Sequence, residues 1–192
     1  MRKLIVTEYV TLDGVFEAPG GGEAFEHGGW SFASWNDESA QYKFDELQAM
    51  GAMLLGRVTY AAFAQFWPTY TDEAGFADRM NSLPKYVVST TLTKGDWNNT
   101  TVIQGNLAEE IGRLKQQPGQ DIFIAGSGQL VRSLMPLNLI DEYRLMVHPV
   151  VLGAGRRLFD SDASKQVLKL VASQSFGGGI AVLHYEPVPA AA

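Results

Sequence analysis

Cysteine is absent from all 192 residues. Its absence excludes disulfides, thiolate nucleophiles, iron–sulfur clusters and Cys-based zinc sites. Cations are also scarce: 15 Lys and Arg stand against 21 Asp and Glu, a formal charge of −6. A nucleic-acid footprint needs clustered Lys and Arg, and so does docking on an anionic bilayer, so neither partner is expected. No apolar run approaches the ~20 residues of a membrane-spanning helix. The start, Met1-Arg2-Lys3-Leu4-Ile5-Val6, enters a strand-like run with no signal-peptide pattern, and a soluble cytoplasmic protein is expected. The three histidines, His27, His148 and His184, are far apart and form no H-E-x-x-H, so no metal site is expected. There is no G-x-S-x-G elbow for a serine hydrolase.

What remains is globular composition, 46% hydrophobic and 19% charged. A chain of this length hides roughly 70% of its unfolded surface and needs no staples. One domain over residues 1–187 is expected, with 188–192 as a frayed tail. Leu4 to Val10 reads as a strand. Residues 17 to 35 carry clustered glycines and two Trp, a loop long enough to be functional. Asn36 reads as an N-cap, with Asp37 and Glu38 in the first turn. Ala40, Phe44, Leu47 and Met50 form one helical face. Ala52–Leu55 reads as a strand, Val58–Phe66 as a helix, and Lys85–Ser89 and Thr100–Ile103 as strands. Asn106 with Glu109 starts a helix striped by Leu107, Ile111 and Leu114. Asp121–Ala125 is a strand, followed by a helix to Pro136. Ile140–His148 is a strand, and Val167–Phe176 with Ile180–Glu186 a hairpin. The economical architecture is α/β: a mixed, mostly parallel sheet with helices on both faces and an antiparallel hairpin at its C-terminal edge. Ligands of such sheets bind beyond the carboxyl ends of the strands.

Three strand ends carry candidate chemistry. Ile124-Ala125-Gly126-Ser127-Gly128-Gln129-Leu130 runs from strand through two glycines into a helix, which suits a phosphate, or is only a tight turn. It is not the Rossmann fingerprint, whose third glycine would fall on Val131. Leu55-Gly56-Arg57-Val58-Thr59-Tyr60 repeats the geometry with a guanidinium and a hydroxyl in the first helical turn. Val88-Ser89-Thr90-Thr91 ends a strand in three hydroxyls, with Lys85 and Lys94 nearby; hydroxyls there are commonly ordinary turn chemistry. Parallel strands bring such ends to one edge, where they could cradle one long phosphorylated ligand.

The order Leu12-Asp13-Gly14, Gly56-Arg57-Val58-Thr59-Tyr60, Pro84 to Thr91 and Ala125-Gly126-Ser127-Gly128 resembles the dihydrofolate reductase superfamily. Asp13-Gly14 and His148-Pro149-Val150-Val151-Leu152-Gly153-Ala154-Gly155 point to the branch of the C-terminal reductase domain of the bifunctional riboflavin-biosynthesis deaminase-reductase. The resemblance implies a dihydrofolate-reductase-like three-layer fold and NADPH as cofactor. It implies that Gly56, Arg57 and Thr59 hold phosphates, and that Ser89, Thr90 and Thr91 sit by the adenosine ribose. It places Gly126, Ser127 and Gly128, with Gln129 and Leu130 behind them, along the diphosphate and nicotinamide. No Asp or Glu ends the strand at Ser89, which favours the 2′-phosphate form. A homodimer is implied too, with an exposed edge such as Ile180–Glu186 available for it.

The pattern breaks on the substrate side. The helix carboxylate that folate reductases carry would fall near Ala40; Glu38 is nearest, with Asp37 and Glu46 as competitors. Asp13 and Glu38 are the catalytic candidates, and Asp13, Trp30 and Trp35 the substrate-binding ones, the loop closing over a flat substrate to exclude water. Trp30 and Trp35 could equally be a packed cluster, and Asp13 only a turn residue. The expected function is NADPH-dependent hydride transfer to a C=N or C=O group of a small planar or heterocyclic substrate. The rivals are a non-catalytic nucleotide-binding module and a homodimeric interaction protein.

Overall fold

The computed structural model describes residues 1–22, 24–160, 163 and 165–189. Its elements in chain order are β1 (Leu4–Thr11), α1 (Asp37–Ala49), β2 (Met50–Gly56), α2 (Arg57–Phe66), α3 (Phe76–Ser82), β3 (Lys85–Val88), β4 (Thr100–Ile103), α4 (Leu107–Gln116), β5 (Asp121–Ala125), α5 (Gly128–Leu134), β6 (Glu142–His148), β7 (Leu168–Ser175) and β8 (Ala181–Pro187). The strands form one sheet in the order β4-β3-β2-β5-β1-β6-β8-β7. Every junction from β4 to β6 is parallel, and β8 pairs antiparallel with both β6 and β7. The mixed sheet with a C-terminal antiparallel hairpin is therefore as expected.

Strand alternation sorts the core into two layers. On one face Leu4, Val6, Val10, Leu54 and Ile124 pack with Ile111 and Leu114 of α4 and Leu130, Val131 and Leu134 of α5. On the other Ile5, Met53, Leu55, Val87 and Phe123 pack with Leu47 of α1, Tyr60 of α2 and Met80 of α3. Central strands are covered on both sides, so their sequences are nearly all apolar. Each fully buried aliphatic side chain contributes about 1.5–3 kcal/mol, and that doubly covered core fixes where the strand ends emerge.

The structure corrects three expectations and adds one element. Met50 opens β2 rather than closing the helical face of α1. The strand Ala181–Pro187 is not an edge: β8 lies between β6 and β7, and the free edge is β7, whose residues after Leu168 are all exposed. Residues 17–22 and 24–35 form a braced loop rather than a loose flap. The indole of Trp30 donates to the Glu17 carbonyl at 2.7 Å, Gly29 N–H to Ala18 O at 2.8 Å, and the Ser31 hydroxyl to Pro19 O at 2.8 Å. Finally, α3 carries no legible apolar stripe. It is started from outside by Asp72, whose carboxylate accepts from Phe76 and Ala77 N–H at 2.9 and 2.7 Å. At the other end of the chain Val188 N–H donates to Val167 O; of the expected tail, 190–192 lie outside the described residues. Among the described residues no helix is long and apolar enough to cross a membrane.

Candidate active site

Gly56, Ser89 and Gly126 end or follow β2, β3 and β5, which are neighbours and run parallel. The turns after β2 and β5 are locked together. The Gly56 amide donates to Ser127 Oγ at 2.9 Å, and the Ser127 amide donates to Thr59 Oγ1 at 3.0 Å. Arg57 and Ser127 therefore stand on the same side of the molecule. Gly126 and Ser127 both take positive φ, +61° and +60°. At Gly126 a side chain is excluded, because a Cβ would lie 2.9 Å from Thr59 Cγ2. Gly128 is glycine for a different reason: a Cβ there would run into the Phe16 ring.

The first turn of α2 is uncapped. Its N-cap, Gly56, supplies no side chain to the free amides, and an uncapped helix start accepts anions. Arg57 and Val58 are exposed, and Arg57 has no ion-pair partner among the described residues. Thr90 and Thr91 are exposed one turn away. Ser89 is buried, and its hydroxyl accepts from the Thr91 and Leu92 amides at 3.2 and 2.9 Å, so it shapes the turn. Gln129 faces solvent, and the Leu130 side chain, behind the turn, packs in the core of α5. Lys85 is corrected too. It starts β3, at the far end from Ser89, where it is fully buried with Nζ 4.1 Å over the Trp97 ring, and burial lowers it to about 8. Cavities of about 240 and 460 Å³ exist elsewhere, one against β4 and α4 and one by Asn81 and Trp97; neither is lined by these turns. The strand ends form an exposed ledge whose ligand chemistry is carried by amides, hydroxyls and a guanidinium.

The substrate-side candidates fall at the exits of β1 and β6. Asp13 accepts from the Thr11 hydroxyl at 2.6 Å and from the Leu152 and Gly153 amides at 3.2 and 2.9 Å. The Thr11 hydroxyl and the Gly153 amide hold it down to about 2, so it is an ionised acceptor and no proton donor near neutrality. Arg157 adds an ion pair to it at 3.6 Å, and Arg156 pairs with Glu17 at 2.9 Å, which ties the 153–157 loop to the β1 exit. Glu38 is exposed and accepts from the Gly177 amide at 3.0 Å. Trp30 is buried and belongs to the loop's own packing, whereas Trp35 stays 37% exposed, edge-on to Tyr9 at 5.6 Å. Both indoles surround His148, Trp30 edge-on at 5.4 Å and Trp35 stacked at 6.5 Å.

Of the charged groups that line β1, sequence reasoning named Glu46 only as a competitor and passed over Lys43, Arg144 and Glu8. Lys43 and Glu46, one turn apart on α1, form an ion pair against β1, and Lys43 Nζ also donates to Thr7 Oγ1 at 2.6 Å. Glu46 accepts from the Thr7 hydroxyl at 2.8 Å and lies 3.5 Å from the Arg144 guanidinium. Burial pushes its carboxyl up, but Lys43, Thr7 and Arg144 together outweigh burial and hold it below the ordinary range. The helix carboxylate that meets β1 is thus Glu46, not Glu38. Lys43 Nζ also lies 5.2 Å from the Tyr9 ring centre, beside the partly exposed Trp35. On the opposite face Glu8 stands buried beside Gly126. An i,i+3 Lys–Glu pair was visible in the sequence, but its inward orientation was not.

The RibD C-terminal domain family model matches residues 2–182. The Bacillus subtilis (strain 168) protein YyaP is 32% identical over 188 residues, 96% of this chain and 94% of YyaP. Among solved structures, a protein from Shewanella sp. PV-4 assigned to riboflavin biosynthesis superposes with a TM-score of 0.77 at 20% identity, over 97% of this chain and 99% of that one. Dihydrofolate reductase from Enterococcus faecalis, complexed with NADP(H), gives 0.57 at 13% identity over 96% of each chain. The expected dihydrofolate-reductase-like α/β fold is thereby shown. The chain belongs to the RibD C-terminal domain family.

Proposed function

We propose that this protein is an NADPH-dependent reductase that delivers hydride to a C=N or C=O carbon of a small planar heterocycle. The interlock of Gly56, Thr59 and Ser127 carries the reading. It fixes two turns side by side and leaves the α2 amides and Arg57 open to a diphosphate. The residues present fit such a group: glycine where a side chain would collide, free amides, and a cation without a counter-ion. NADPH bound there would supply the hydride; this chain's share is placement and electrostatics. Arg57, Thr90 and Thr91 would favour the 2′-phosphate, since β3 ends in hydroxyls and no carboxylate follows it. On the substrate side Tyr9, Trp35 and Lys43 would face the ring. Lys43, an ammonium held by Glu46 and Thr7, is better placed than Asp13 or Glu38 to share a proton with a developing anion. A second copy of the chain remains the proposed partner, with β7 as the available edge.

Titration of tryptophan fluorescence with NADPH and NADH tests the reading. Quenching by NADPH at micromolar concentration, several-fold weaker with NADH, is expected. Replacing Arg57 by Ala should erase most of that preference. No quenching at millimolar NADPH by folded protein overturns it. NADPH oxidation followed against pterins, flavin precursors and simple imines then separates a reductase from a module that only binds.

A further inference from the structure

β1 reads Leu4-Ile5-Val6-Thr7-Glu8-Tyr9-Val10-Thr11, and on its α5 side Glu8 sits between Val6 and Val10. A carboxyl in the middle of an apolar stripe is costly unless it is paired or kept neutral. Among the described residues Glu8 forms no ion pair. Oε2 accepts the Gly126 amide at 2.9 Å, while Oε1 is buried without a protein partner. Thr7 pairs in register with Ala125, which sets Glu8 beside Gly126, the residue whose positive φ turns the chain toward Ser127.

We propose, resting on the nucleotide-binding reading above, that Glu8 is a positioning residue for the cofactor: its carboxyl holds the Gly126 amide inward and keeps the β5–α5 turn in the shape that receives a diphosphate. The alternative donor arrangement, with Gly126 N–H facing the ledge, would break the contact between Ser127 and Thr59 that follows it. Burial raises the Glu8 carboxyl well above the ordinary range, against the pull of the Gly126 amide and Lys43. Burial thus favours the neutral acid, which adds no negative charge behind the phosphates. The groups packed on this side, Gly126, Ser127, Leu130 and Val131 from the turn and α5 and Leu145 from β6, carry no titratable side chain. Lys43 acts on it from the other face of β1, where Glu46 and Tyr9 also lie. Ionising Glu8 opposes an anionic ligand, so NADPH affinity should fall as pH rises through that ionisation.

The test uses Glu8→Leu and Glu8→Gln in the full chain. Leu fills the same space and removes the unpartnered Oε1, but it leaves the Gly126 amide without its acceptor, so E8L should stay folded and melt at or somewhat below wild type. Its NADPH affinity should nevertheless drop about tenfold, the effect of one buried hydrogen bond to a positioned amide. Hydrogen exchange of the Gly126 amide in the free protein should speed up in E8L. E8Q, which keeps a neutral acceptor for Gly126, should restore most of the affinity and bind without the decline with rising pH expected of wild type. Wild-type affinity in E8L, or one pH profile shared by wild type and E8Q, overturns the role of Glu8. Absence of NADPH binding by wild type at every pH is a different result and overturns the functional reading itself.

Discussion

The Ser127 amide donates to Thr59 Oγ1 at 3.0 Å across 68 residues of sequence, and this bond joins the turn after β5 to the first turn of α2. Replacing Thr59 by Val keeps the shape and removes the acceptor. A part-buried amide would be left unpaired, at a cost of about 1–3 kcal/mol. Urea unfolding of T59V should show that loss, and fluorescence titration should show weaker NADPH binding. T59S, which keeps the hydroxyl, should lie near wild type in both.

Gly126 and Gly14 both adopt positive φ, +61° and +80°, but only Gly126 has a neighbour in the way. Alanine at Gly14 meets nothing within 4 Å, so it should cost only the left-handed backbone penalty, about 1–2 kcal/mol. Alanine at Gly126 should cost that and a collision with Thr59. A G126A protein that is no less stable than G14A would show that the two turns are not in contact in solution.

Lys43 and Glu46 make a third test. Methionine at Lys43 leaves the buried Glu46 carboxylate with only Arg144 and the Thr7 hydroxyl, at a cost of up to about 3–5 kcal/mol. The double replacement K43M/E46L should recover much of it, because both charges leave together. Glu46 also sets an acid limit. Its carboxyl is held below the ordinary range, so its stabilisation is complete above that range and is lost as pH falls through the folded value. Equilibrium unfolding of wild type and K43M/E46L at pH 3 to 7 should converge toward the acid end.

Much of the scaffold was legible because its signals are local. Asn36 caps α1 as its sequence suggested, in a reciprocal box with Ser39, and Thr100–Ile103 and Asp121–Ala125 form strands with the expected bounds. The glycine turns at Gly56 and Gly126 stood out for the same reason. What could not be read depends on partners far away in sequence. Glu8 looks like a solvent-facing interruption of β1 until α5 covers it. Lys43 and Glu46 look like an exposed helical pair until β1 lies against them. Leu130 lies behind the turn, and its period belongs to the core stripe of α5.

His148 is fully buried at the end of β6, with Nδ1 2.7 Å from the Ser34 hydroxyl and Nε2 without a partner. Tyr9, Trp30 and Trp35 enclose its ring, so it fastens the glycine-rich loop to the sheet. Burial lowers it from 6.5 to about 4, because the charged ring has no acceptor for its second proton. The unfolded chain takes up that proton below about 6.5, whereas the folded chain does so only near 4. Between those values the unfolded state holds more protons, so stability declines as pH falls and the full contribution of the neutral ring is present only above 6.5. Phenylalanine at this position keeps the aromatic contacts and cannot titrate. Melting temperatures of wild type should drop between pH 6.5 and 4 more steeply than those of H148F, with the gap closing above that window. Equal slopes for the two proteins would mean that His148 meets water and that the loop is fastened by its own hydrogen bonds alone.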